Sequence, residues 1–187
     1  MSYTGYLRLI AQTVGEFERP NVIVHAMHSV CTPVGTAPVA IVQYKSEPKG
    51  YACIKDVISP DQKVAAYVGL EFFGETAFES YQPSRGVLAF SGDGKESMGV
   101  KVHVGTQVLH FRVAGLQEAD LISRESCGDC PVFTQAMEMT ATDASFLLNG
   151  ALMPLELPVV SPGWGSPAGY APVGFFAMDK MLRAQAA

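Results

Sequence analysis

Charge is scarce in this chain. Only 17% of its 187 residues are Asp, Glu, Lys or Arg, against roughly 25% in ordinary water-soluble domains. Little polar material is on hand to cover an isolated surface, so burial of part of it against a partner is expected. The charge present leans acidic, 18 Asp and Glu against 13 Lys and Arg for a net of −5. No run of Lys or Arg exists to neutralise successive phosphates, so neither nucleic acid nor an anionic membrane is an expected partner. Gly, Pro or charge interrupts every long apolar stretch, and none reaches the ~18 residues of a membrane-spanning helix. The opening "MSYTGYLRLIAQTVGEFERP" lacks the basic start, apolar core and small-residue cleavage site of a secretory signal. A cytoplasmic location with free thiols is expected. Also missing are a Gly-rich phosphate loop ending in Lys-Ser/Thr, a G-x-S-x-G elbow and an H-E-x-x-H pair. The commonest enzyme classes thereby lose their marks.

What is present is apolar and punctuated. Hydrophobic residues make up 48% of the chain, enough at this length to bury a core without disulfides or a metal. Leu7, Ile10, Ala11 and Val14 fall at helical spacing behind Thr4, and Pro20 stops whatever reaches it; the spacing predicts a helix from about residue 4 to 16. "NVIVHAMHSV" and "APVAIVQYK" around the turn "TPVGT" read as a β-hairpin, and "GYACIKDV" as a third strand. Ser59 and Pro60 read as cap and first residue of a partly helical stretch carrying Val64, Val68, Phe72, Phe78 and Tyr81. The period then changes to two. "RGVLAFS" and "MGVKVHVGTQVLHFRV", joined by "GDGKES", form the clearest hairpin, with Gly105 marking a bulge or a close approach. "GLQEADLISRES" is polar and short, and "VFTQAMEMTATDASFLLNGALMPLELP" is ambiguous between strand and helix.

The order helix, hairpin, third strand, helix, followed by "FGETAFESYQPSRGVLAFSGDGKESMGVKVHVGTQVLHF", resembles the flavin-binding split-barrel proteins. That group contains the pyridoxamine-phosphate-oxidase-like and small FMN-binding proteins. Two echoes carry the likeness over roughly residues 5 to 113: "FESYQPSRGVLAF" for a family segment like NxxxNPRVAVxF, and "MGVKVHVGTQVL" for a following strand like GVQVKGTAE. The resemblance implies an antiparallel split β-barrel, predominantly β within an α+β class, with a few helices. It also implies a homodimer that holds FMN in a groove between subunits. The matching positions for a flavin phosphate, which needs charge-assisted hydrogen bonds when partly buried, are Thr76, Ser80, Arg85 and Lys101. The chain departs from the small FMN-binding members at Glu75, where they tend to carry Lys.

Cys127 and Cys130, in "RESCGDCPVF", form a C-x-x-C. A redox pair needs a lowered thiol pKa at a helix start in a βαβ setting, and polar sequence precedes this one while Pro131 follows it. A zinc or iron-sulfur site needs about four ligands, so Cys31, Cys53 or one of His25, His28, His103 and His110 would have to complete it; a plain turn with unpaired thiols is the default. His25 and His28, three apart in a β-rich run, are expected on opposite faces of a strand, and His103 and His110 on opposite faces of another unless Gly105 bulges. The Met residues read as core or interface filler. Residues 157–178, "LPVVSPGWGSPAGYAPVGFFAM", carry no charge and a Pro or Gly every few positions. They are expected to form neither a helix nor a central strand, but an extended arm docked on the barrel and on a neighbouring subunit, with "MDKMLRAQAA" ending as a helical turn. The domain expectation is a barrel over residues 1–158 and an arm over 159–187.

Three readings result. One is a flavin-binding split barrel, an oxidoreductase or flavin carrier. The second is a non-catalytic binding or structural subunit of a homo- or hetero-oligomer. The third is a Cys-ligated metal site.

Overall fold

Strand alternation, with one helical interruption among the described residues, builds this chain. The computed structural model describes residues 1–13, 21–46, 52–78, 81–116, 120–126, 132–156 and 173–183. In chain order these form β1 (Ser2–Thr13), β2 (Val22–Thr32), β3 (Gly35–Lys45), β4 (Ala52–Ser59), α1 (Gln62–Phe78), β5 (Gln82–Gly92) and β6 (Ser97–Val104). There follow β7 (Gln107–Leu116), β8 (Asp120–Ser126), β9 (Val132–Leu148), β10 (Ala151–Met153), β11 (Leu155–Glu156) and β12 (Val173–Arg183). No helix among the described residues is long and apolar enough to cross a membrane.

The strands join in the order β10-β9-β12-β1-β2-β3-β4-β5-β6-β7, and β7 pairs with β9 as well. Strand β8 runs along β9 on the same side as β7, while β11 adds to the end of β1. Among the described residues all strand pairings are antiparallel except β4 with β5, which α1 connects as a crossover. The result is a predominantly β structure with one mostly antiparallel sheet and, among the described residues, one helix.

Two apolar layers result from the two faces of the strands. Leu7, Leu9 and Ala11 of β1, Val22, Val24 and Ala26 of β2, and Val100, Val102, Leu109, Phe111, Val113 and Phe146 from the far half of the sheet form one buried cluster. At its centre Phe111 and Phe146, directly opposite on β7 and β9, stack with ring centroids 4.7 Å apart, and Tyr44 of β3 meets Phe146 edge-on at 5.2 Å. On the other face Met27, Val39, Ile41 and Val57 pack under Val64, Ala65 and Val68 of α1.

Polar groups close the ends of these layers. Asn21 is buried; its amide donates to Thr13 Oγ1 and the Lys45 carbonyl while its oxygen accepts from the Thr13 N–H, each at 2.7 Å. That single side chain ties the end of β1 to β3. Gly105, with φ 55°, opens the two-residue turn from β6 to β7, and Asn149–Gly150, with φ 51° and 84°, form the turn from β9 to β10. Positive φ at the first central residue, or at both, is what the primed hairpin turns require.

Several sequence expectations are corrected here. Residues 2–13 are a strand, not a helix: Leu7, Leu9, Ala11 and Thr13 are buried at a period of two, and that alternation outweighs the helical spacing of Leu7, Ile10 and Ala11. The run from Met98 to Val113 is two strands, because Gly105 makes a turn where a bulge was expected. "ADLISRES" lies largely in β8, and the ambiguous segment after it resolves as strand. The helix cap is Asp61, whose Oδ1 accepts from the N–H groups of Lys63 and Val64; Ser59 instead accepts from the Asp61 N–H. The last part of the expected arm, Val173–Arg183, is a central strand between β1 and β9 and includes the residues expected to end as a helical turn. Residues 157–172 lie outside the described set. The hairpin β2–β3 and the third strand β4 stand as expected.

Truncating Phe146, which is fully buried, removes both ring contacts at once and leaves a cavity the flanking strands cannot close. Phe146→Ala is expected to lower unfolding stability by about 3–5 kcal/mol, read from chemical denaturation.

Candidate functional site

Strands β5, β6 and β7 turn Leu88, Phe90, Met98, Val100, Val102, Leu109, Phe111 and Val113 toward the buried cluster. Alternation therefore sends Arg85, Val87, Ala89 and Ser91 of β5, Lys101 and His103 of β6, and His110 and Arg112 of β7 to the opposite face. The pairings set these residues in rows: Val87, His103 and Val108; then Ala89, Lys101, His110 and Leu147; then Ser91, Gly99, Arg112 and Ser145. Arg85, Lys101, His103 and Arg112 are exposed, and Val87 is 62% exposed. No outward position of β5, β6 or β7 holds an acidic residue. The result is a basic wall on an acidic chain.

Below this wall the β5–β6 connection is organised by Asp93. Its Oδ1 accepts from the N–H groups of Lys95, Glu96 and Ser97 at 2.9, 2.8 and 3.2 Å, and these bonds, led by Glu96, lower its pKa to about 2. The sequence marked this stretch as a turn by its glycines and missed the carboxylate that anchors it. Arg112 was missed too, although its signal is legible in "VLHFRV", where His110 and Arg112 alternate with Leu109, Phe111 and Val113.

Arg85 and Lys101, two of the four expected phosphate contacts, share the outer face. Lys101 pairs with Ala89, four positions along β5 from Arg85, which at ~3.3 Å per residue is ~13 Å of strand. Thr76 lies on the last turns of α1 with its side chain outside the described set, as is Ser80. Of the four expected phosphate contacts, the described side chains are those of Arg85 and Lys101, both exposed.

Cys127 and Cys130 fall between β8 and β9, outside the described residues, and the side chain of Cys53 is likewise undescribed. Cys31 is a free, exposed thiol at the end of β2. Among the described residues no group of three or more His, Cys, Asp or Glu is placed to hold a metal ion. His103 and His110 stand on two paired strands and share the outer face, where an opposed arrangement was expected on a single strand. His25 and His28 differ as a strand requires: His25 is buried beside Met27 and Ile41, while His28 is exposed with its ring edge-on to Phe90 at 5.0 Å.

Burial lowers the pKa of His25 from 6.5 to about 4. The folded protein therefore excludes a proton that the unfolded chain accepts at pH 6.5 and below, so this contribution is intact above that pH and declines as pH falls toward 4. At 1.36 kcal/mol per pKa unit the loss is about 3 kcal/mol. A His25→Gln variant is expected to lack that part of the acid destabilisation, measured by denaturant unfolding at pH 7, 5.5 and 4; an unchanged pH profile would refute the assignment. No known protein family, curated protein or solved structure matches the chain.

Proposed function

We propose that the chain is a non-catalytic binding or structural subunit of a larger assembly, built on a split-barrel-like sheet, whose working surface is the outer wall of β5, β6 and β7. The observation that carries this reading is the wall itself. Arg85, Lys101, His103 and Arg112 are exposed on one face, the last three on the paired strands β6 and β7, without an outward acid among them, on a chain with 18 acidic and 13 basic residues. Separation of charge of this kind steers and orients an acidic protein surface. Exposed Val87 and Ala89 add apolar contact to it. Three permanent cations are too few for nucleic acid, which is held by about 6–10 phosphate contacts.

The split-barrel reading is supported by the pairing of β7 with β9, which brings the far end of the strand order back to β9. The binding subunit is favoured over the flavin reading because it accounts for exposed His103 and Arg112 as well as for Arg85 and Lys101.

In extracts of its native source the chain is expected to elute within a complex that high salt disperses, since exposed ion pairs are screened. The double charge reversal Lys101→Glu with Arg112→Glu is expected to weaken that complex while leaving the unfolding transition in place. A protein that carries a flavin absorbance band, or a complex indifferent to the double variant, overturns the reading.

A further inference from the structure

The parallel contact between β4 and β5 is short. It pairs Asp56 through Ser59 with Gln82 through Arg85 and stops there. Strand β5 continues for seven residues, Gly86 to Gly92, paired on one side with β6. Among the described residues no strand pairs with its other side. Alternate N–H and C=O groups along ~20 Å of backbone therefore face outward in the plane of the sheet. Edge strands of folded monomers are ordinarily blunted by Lys, Pro or inward-pointing charge, and "GVLAFSG" has none of these. Val87, Ala89, Ser91 and Gly92 are exposed, while Leu88 and Phe90 are half-buried against the inner cluster, Phe90 under the ring of His28.

We infer that this edge receives the same edge of a second copy of the chain, antiparallel and centred on Ala89, so that the two sheets continue across a two-fold axis. The segment is complementary to itself in that register. Ala89 meets the partner's Ala89 at the axis, where a small side chain lets the strands approach. Leu88 lies opposite the partner's Phe90 on the inner face, an aromatic–aliphatic pair of the kind that stabilises cross-strand contacts. Val87 lies opposite the partner's Ser91, and Gly86 opposite the partner's Gly92. An unrelated peptide would find the backbone groups, but it would not by itself supply the small residue at the centre with an aromatic against Leu88 on either side of it. This interface is separate from the expected C-terminal arm, and it does not depend on which partner occupies the basic wall. Its effect on that wall is to double it, because β6 and β7 of both copies then flank one continuous face.

The test uses the purified full chain. Light scattering over a dilution series is expected to give twice the mass of a single chain. Ala89→Lys sets two like charges directly opposite each other at the axis, beside Lys101 of each copy, and is expected to weaken the dimer several-fold, since like charges directly opposite on paired strands destabilise them. Its far-ultraviolet spectrum and unfolding midpoint should stay near those of the parent, since position 89 is exposed. Ala89→Cys is expected to form a chain-to-chain disulfide on mild oxidation that the parent does not form. A purified chain that is monomeric throughout the series overturns the inference, as does a dimer that survives Ala89→Lys or an Ala89→Cys variant that fails to cross-link. Because the wall is tested with salt and charge reversal in native complexes, the two readings fail separately.

Discussion

The stack of Phe111 on Phe146 is the contact on which the far half of the sheet depends. These rings sit directly opposite each other on β7 and β9, strands separated by the whole β8 excursion. Tyr44 reaches the same point from β3. Three aromatic side chains thus join the start, middle and end of the chain in one buried cluster, and each adds geometric preference to its buried area. With this centre filled by rings and flanked by Val100, Val102 and Leu109, the outer face becomes the place for recognition. The division of labour follows from strand alternation alone: one parity packs, the other presents.

The parallel seam between β4 and β5 is where this arrangement loosens. Helix α1 connects the two strands and covers Val39, Ile41 and Val57 with Val64, Ala65 and Val68, anchored by the Asp61 cap at its start. Gln62 reaches across to the Pro83 carbonyl, and Ser84 donates to Asp56 Oδ1 at 2.7 Å. At the other end of the helix Tyr81 stacks on Phe73 at 4.2 Å and donates to Gln43. These contacts fix the first residues of β5 and leave the remainder bound to β6. The basic wall and the unpaired edge are two sides of the same extension.

Much of this was legible in the sequence wherever turn chemistry and alternation agreed. "TPVGT" between two β-branched runs announced β2 and β3, and "GDGKES" announced β5 and β6. The helix was legible in its apolar positions, with the cap displaced by two residues because Asp61 has the better acceptor and Ser59 is engaged in the turn before it. Strand β1 was misread because Leu7 and Ala11 satisfy both periods, and only its partners β2 and β12 decide between them. Strand β12 was misread because Gly174 weakens local propensity, which neighbours on both sides override. The same limit hid the wall. Lys101 and Arg112 lie eleven positions apart, and neither an outward basic row nor an edge without a partner exists until register places them. His25 was visible as a residue, but its buried state depends on α1 and the strands beside it.

Strand β1 has one neighbour close by in sequence, β2, and another, β12, whose Val173 pairs with Leu9. During synthesis β1 is made well before this second neighbour, since the paired Leu9 and Val173 lie 173 − 9 = 164 positions apart. Until β12 is available, that side of β1 presents an open row of backbone groups to the nascent sheet. Contacts of such sequence separation are slow to form, and exposed edges in incomplete chains invite pairing with the wrong strand. Strand β12 is therefore also a timing element: the moment it becomes available to β1 and β9 is the moment at which the sheet can be completed.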